Sequence, residues 1–210
     1  METHLLLAPR PGAVADQAAR GILDSVPAAS VATLCPAGAL PALAHAAALS
    51  PELPDLLVTV DSLDAAIKAW RTASKDADPA RSTVVVAQRH AVLPGNDAIR
   101  LFFGLRRLER LTRAQFHDYW LNHHADYGRR LIPPYTYHQL HTDGVATSAA
   151  SKAIGLPEST LDGIVEVHFP SLDALIQQLS RPDVAEGALA DEKNFIDHGR
   201  SIFWAYRTIA

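Results

Sequence analysis

Apolar and polar positions along the first ninety residues switch between the two periods that mark strands and helices. Residues 4–8 form a short apolar run, 13–23 carry helical spacing, and 29–34 return to a strand pattern. An Ala/Pro-rich connection leads into the apolar run 56–60. Leu63, Ala66, Ile67 and Trp70 then fall at i, i+3, i+4 and i+7, which predicts one amphipathic helix. The β-branched stretch 82–88 closes the segment. The order is β-α-β-β-α-β, the split βαβ arrangement of ferredoxin-like folds.

The second half repeats that order with different side chains. Residues 100–105 read as a strand, 112–131 as a helix, 135–141 and 164–169 as strands, and 201–208 as a closing strand. Leu172, Leu175, Ile176 and Leu179 mark the helix between the last two strands. The element Ser62-Leu63-Asp64-Ala65 recurs as Ser171-Leu172-Asp173-Ala174, each time between an apolar strand and an amphipathic helix, with serine placed to cap the helix. This predicts an α+β chain of two ferredoxin-like halves, residues 1–92 and 97–210, joined by a linker over 89–96 that carries Pro94 and Gly95. A four-stranded sheet with helices on one face leaves the other face bare. Pairing the two bare faces gives an intramolecular pseudo-dimeric barrel.

Composition narrows the function classes. The 210 residues carry a formal net charge of −4 and 48% hydrophobic positions, so the chain lacks the basic excess of a nucleic-acid binder. No run reaches the roughly 18 apolar residues of a membrane span, and the opening apolar run has no basic segment before it. With Cys35 alone there is no internal disulfide framework, and a buried thiol in a reducing compartment fits it. The expected location is cytoplasmic, and the expected partner is a small molecule. A homodimer is favoured, since two-fold symmetric assembly is common.

Histidine is concentrated in the second half: His117, His123, His124, His138, His141, His168 and His198, against His4, His45 and His90 before it. The helix from Thr112 opens on a capping-box pattern with Gln115. Phe116, Trp120 and His124 step by four along one face, with Tyr127 beside them, which puts His124 on an aromatic stripe. Pro133-Pro134 ends the helix. In the next strand, period two puts Tyr137, Gln139 and His141 on one face and His138 on the other. A neutral imidazole among aromatics suits a general base, and a second imidazole with a phenol could return the proton or hold an oxyanion. The catalytic candidates are therefore His124, His141 and Tyr137, with Phe116, Trp120, Tyr127 and Glu166 as candidates for substrate binding. Each histidine has a plain alternative as a hydrogen-bonded core residue, His117, His138, His168 and His198 are read as surface or packing residues, and Glu166 fits a solvated edge as well as a pocket. Metal binding by His123, His124, His138, His141 and Glu166 is disfavoured. Adjacent helical residues diverge by about 100°, and His138 and His141 face opposite ways. No glycine-rich phosphate loop or nucleophile elbow is present.

The run from Leu111 through Phe116 and Trp120 to His124-Ala125, the stretch Tyr137-His138-Gln139-Leu140-His141, the stretch Asp162-Gly163-Ile164-Val165-Glu166-Val167 and the run Asp191-Glu192-Lys193-Asn194-Phe195-Ile196-Asp197 resemble an EthD-type domain of the dimeric α+β barrel superfamily. The resemblance covers roughly residues 100–207. It implies a pocket between sheet and helices, His124 as the helix histidine and His141 as the strand histidine. The first half has no histidine or aromatic residue in its first helix, so one working half and one structural half are expected. Relatives of this kind include dehydratases, cofactor-free monooxygenases, isomerases and haem proteins. The reading taken is a cofactor-independent lyase or dehydratase acting on a small, mostly apolar hydroxylated or aromatic substrate, with His124 as base, His141 as acid and Tyr137 orienting. The alternatives are a non-catalytic small-ligand protein, a cofactor-free monooxygenase or isomerase, and a haem binder.

Overall fold

A computed structural model describes residues 1–36, 38–40, 53–130 and 135–209, without the side chains of 183–186. His45, most of the Ala/Pro-rich connection, Leu131 and the helix stop at Pro133-Pro134 lie outside the described residues.

Eight strands close into one antiparallel barrel in the order β1-β3-β2-β8-β5-β7-β6-β4. The first half supplies β1 (Glu2–Leu7), β2 (Ser30–Leu34), β3 (Leu56–Val60) and β4 (Thr83–Leu93). The second supplies β5 (Ile99–Leu105), β6 (Thr136–Thr142), β7 (Gly163–Phe169) and β8 (Ile202–Ile209). Within each half the order is fourth, first, third, second. The two four-stranded sheets are joined by β2 to β8 and by β4 to β6.

Closure divides each strand into inward and outward residues, because successive side chains alternate. Outward residues of the first half, including Leu5, Leu7, Val58 and Val84, pack against α1 (Ala15–Ser25) and α2 (Leu63–Ala73) in one apolar cluster. The repeated four-residue element does what its sequence predicts: Ser62 accepts the Ala65 amide at the start of α2, and Ser171 accepts the Ala174 amide at the start of the later helix Leu172–Leu179.

Four features differ from expectation. Strand β4 runs through most of the supposed linker to Leu93, because residues 87–93 find a ladder partner in β6. The helix expected over 112–131 is a compound one. It comprises α3 (Arg113–Tyr119), a π turn over Trp120–His124 and α4 (Ala125–Gly128). Two helices were not foreseen. One, α5 (Gly144–Ile154), is capped by Asp143 and ended by Gly155 in the left-handed region, and it crosses to pack on β4 and α2 of the other half. The other, α7 (Pro182–Glu192), follows α6, the Leu172–Leu179 helix, after a short break. Cys35 is buried as expected, at 2% exposure. No helix among the described residues is long and apolar enough to cross a membrane.

Candidate active site

The outward face of the second sheet is not filled by its helices in the way the first is. Between it and α4, α6 and α7 lies a cavity of about 130 Å³, floored by Leu101, Phe103, Val165, Val167, Phe169 and Phe203. His124, Tyr127, Tyr137, Glu192 and His198 also border it. The polar groups stand on an otherwise apolar wall, the usual composition of a small-molecule site.

His124 closes the π turn, a device that recurs at functional sites because it re-aims one turn of side chains. Its Nδ1 lies 2.7 Å from Oδ2 of Asp191 in the last turn of α7. A carboxylate only accepts, so Nδ1–H donates and Nε2 of the neutral ring keeps its lone pair. Tyr119 donates to the other Asp191 oxygen at 2.7 Å. Burial works to raise the Asp191 carboxyl, but the hydrogen bonds from Tyr119 and His124 outweigh it and hold that carboxyl below its ordinary value. A second pair borders the same cavity: His198 Nε2 donates to Glu192 Oε2 at 2.8 Å. Two consecutive residues, Asp191 and Glu192, thus orient two imidazoles.

Tyr137 presents its ring to the cavity while its oxygen accepts from the Trp120 indole at 3.2 Å and from the Gln139 amide at 2.9 Å. With two donors on that oxygen, the phenol proton is the group left to give. Burial pushes the Tyr137 phenol up to about 12, so it stays protonated at neutral pH. Gly128 is needed for this placement: a Cβ there would sit 2.1 Å from Cδ1 of Tyr137.

The structure separates the remaining candidates. Phe116 and Trp120 are fully buried and form the wall behind the site rather than its lining. His141 shares a strand face with Tyr137 and Gln139, as the alternation predicts, but it is not among the residues bordering the cavity. Its ring stacks on Trp120 at 4.9 Å and on His117 at 4.3 Å, and its Nε2 is 3.0 Å from Gln139 Oε1. Burial, with the neighbouring His117 and His90, lowers His141 to about 3, so the ring is neutral at neutral pH and its Nε2–H is given to Gln139 Oε1. His141 is thus placed behind the cavity wall and not at the position expected of an acid facing the substrate. Glu166 is away from the cavity too. It faces the barrel interior at 2% exposure, on the opposite side of the sheet from the cavity, bound to Arg100 at 3.0 Å and Arg89 at 3.2 Å. Asp191, Glu192 and His198 are the residues the sequence reading missed as site groups. The first two lie within the run 191–197 already singled out by the family resemblance.

Comparisons with known proteins bear on the family and the fold. The EthD domain model matches residues 108–199. This stretch is similar to an EthD domain. It contains every polar group named above that borders the cavity, from His124 to His198. No curated relative matches the sequence. Among solved structures, a candidate chlorite dismutase superposes with a TM-score of 0.55 at 10% identity, covering 100% of this chain and 94% of its own. A candidate monooxygenase from Lactobacillus acidophilus NCFM gives 0.51 at 6% identity, covering 99% and 92%. An anthrone oxidase-like protein gives 0.55 at 8% identity, covering 100% and 90%. At such identities the likeness is one of fold: an eight-stranded antiparallel α+β barrel.

Haem, one alternative that the resemblance carries, does not fit the EthD cavity. Its volume of about 130 Å³ is well below the roughly 300–1,000 Å³ of pockets that enclose drug-sized ligands, and a porphyrin is larger than most of those.

Proposed function

We propose that the EthD domain is a cofactor-independent acid–base enzyme, a lyase of the dehydratase type, acting on a small, mostly apolar carbon acid that carries a hydroxyl group or an aromatic ring. The observation that carries this reading is the His124–Asp191 pair at the edge of an apolar cavity. Asp191 fixes the tautomer, and Nε2 of His124 takes the substrate proton. The electron pair of the broken C–H bond forms a new C=C bond as the neighbouring C–O bond breaks. The departing hydroxide takes up a proton from the His198–Glu192 pair and leaves as water. The Tyr137 ring, held from behind through its oxygen by Trp120 and Gln139, orients the substrate against the apolar wall.

A cofactor-free oxygenase reading shares the first step and is favoured by the apolar floor of Phe103, Phe169 and Phe203, which admits dioxygen to a carbanion. The two readings part at the step after proton removal.

The test is deuterium uptake in D₂O at the acidic methylene of anthrone and of 2-tetralone, followed by NMR, with an oxygen electrode in parallel. Uptake catalysed by the wild-type chain and reduced about 10²-fold or more in His124→Gln supports the base. Exchange without oxygen consumption favours elimination chemistry, and stoichiometric consumption favours the oxygenase. Equal rates in wild type and His124→Gln would overturn the assignment, and probe binding without exchange would make this a ligand-binding protein.

A further inference from the structure

Inside the barrel, on the other side of the sheet from the EthD cavity, the chain buries an unusual set of charges. A second cavity of about 240 Å³ is bordered by Arg89, Asn96, Arg100, His138, Glu166 and His168, among others. At about 30 Å³ per water, it has room for roughly eight waters, or for a ligand of a few heavy atoms. Arg100 is 3% exposed and His168 3%. Among the described residues, Arg100 Nε and His168 Nε2 have no hydrogen-bond partner. Buried polar atoms of this kind normally have one.

Ligand atoms of His138, Glu166 and His168 lie within 4.8 Å of one another, a spacing that would suit a divalent metal. The hydrogen bonds argue otherwise. Arg89 donates to His138 Nδ1, and a guanidinium has no other role, so neutral His138 carries its proton on Nε2 and offers a donor there. Both Glu166 oxygens are already held by guanidiniums, Oε1 by Arg100 and Oε2 by Arg89. Glu2 takes two further bonds from Arg89, at 2.7 and 2.8 Å, so the two arginines and two glutamates balance, and a dication would have to compete with two guanidiniums for Glu166. His168 is different. Its Nδ1 donates to the Asp97 carbonyl at 3.3 Å, which leaves a lone pair on Nε2, and that nitrogen stands 3.8 Å from Glu166, beyond hydrogen-bond reach.

Arg100 Nε–H, His138 Nε2–H and the Asn96 amide call for an oxygen anion with several lone pairs, and the lone pair of His168 calls for one O–H. We propose that the polar end of the barrel is a binding site for a small monoanion that also carries a hydroxyl, the chemistry shared by a short 2-hydroxycarboxylate and by hydrogencarbonate. Asn96 and Gly95 stand exposed at its rim and give the route in. Gly95 lets the 94–98 segment lie against the barrel mouth, since a Cβ there would sit 2.3 Å from Thr136 Oγ1.

The experiment is calorimetric titration of the full chain with glycolate, hydrogencarbonate, acetate and Zn²⁺ in separate runs at neutral pH. The expected result is saturable binding of glycolate or hydrogencarbonate with Kd of about 1 mM or tighter, the better of the two naming the source. Acetate, without the hydroxyl, binds at least about threefold more weakly. Arg100→Gln weakens binding about tenfold or more. Because that change also breaks a buried ion pair, Asn96→Glu serves as a second variant: it places a carboxylate at the exposed rim, leaves the core untouched, and should also weaken binding. No saturable anion binding by the wild type, or binding unchanged in Asn96→Glu and Arg100→Gln, overturns the proposal. So does tight Zn²⁺ uptake lost in His168→Gln without anion binding.

Discussion

His124 Nδ1 and Asp191 Oδ2 meet at 2.7 Å across 67 residues of chain, and this contact joins the π turn to the end of α7. The same carboxylate takes the Tyr119 hydroxyl, so Asp191 is fixed from two sides before it orients the imidazole. Neither contact follows from helix geometry alone. Both require α7 to fold back over the 113–128 segment.

Asp191→Asn keeps the shape but leaves one acceptor oxygen for two donors, Tyr119 and His124, so that an N–H can face the imidazole in place of the oxygen that selects its tautomer. The expected loss in carbon-acid exchange is about 10²-fold or more, with near-normal binding of the probe, because the ring then settles with its proton on the wrong nitrogen. Kinetics with matched binding isotherms would check it. An unchanged rate would reduce Asp191 to a packing residue.

Gly128→Ala should destabilise the fold, although alanine in a helix normally gains about 1 kcal/mol over glycine. The new Cβ would lie 2.1 Å from the Tyr137 ring, which is walled in by Trp120 and Gln139. A cost of about 1–3 kcal/mol is expected from overpacking, read as a lowered Tm. Gly163→Ala should behave alike, with its Cβ 2.5 Å from Trp120.

Acid should unfold the chain steeply. Burial lowers His4 and His138 to about 4 and His141 to about 3, all from 6.5. The unfolded chain takes up protons below pH 6.5 while the folded chain does not until about pH 4, so stability is present above 6.5 and is lost as pH falls between those values. Three such protons give a slope of up to about 4 kcal/mol per pH unit. Glu166, raised by burial but held well below 4.5 chiefly by Arg100, adds its own loss at still lower pH. Urea unfolding at stepped pH measures the slope, and a flat profile between pH 6 and 4.5 would contradict the buried-neutral histidines.

Much of the fold was legible because its signals are local. Most strands of the barrel announce themselves as apolar runs, and Ser62 and Ser171 cap their helices as the repeated element predicts. Strand alternation also put Tyr137, Gln139 and His141 on one face. Helix α5 carries local signals too, Asp143 at its start and Gly155 at its end. Which distant groups meet could not be read. Glu166 looks like an edge carboxylate until closure of the barrel brings Arg100 and Arg89 onto it. His198 looks like a surface residue until Glu192 and the cavity are in place. The π turn has no sequence signature of its own.

His124 and His141 should separate cleanly by experiment. Both are 7% exposed, both sit among aromatics, and the family resemblance treats them alike. Of the two, His124 alone borders the cavity. His141 is sandwiched by Trp120 and His117 and is bonded to Gln139. His141→Gln should therefore lower Tm through lost stacking and a disturbed Gln139, which also holds Tyr137, while leaving proton exchange within about tenfold of wild type. His124→Gln should do the reverse, keeping most of the stability and losing about 10²-fold or more in exchange. If His141→Gln lost exchange as deeply as His124→Gln while remaining folded and able to bind the probe, the strand histidine would have to reach the substrate in a conformation other than this one and take part in proton removal.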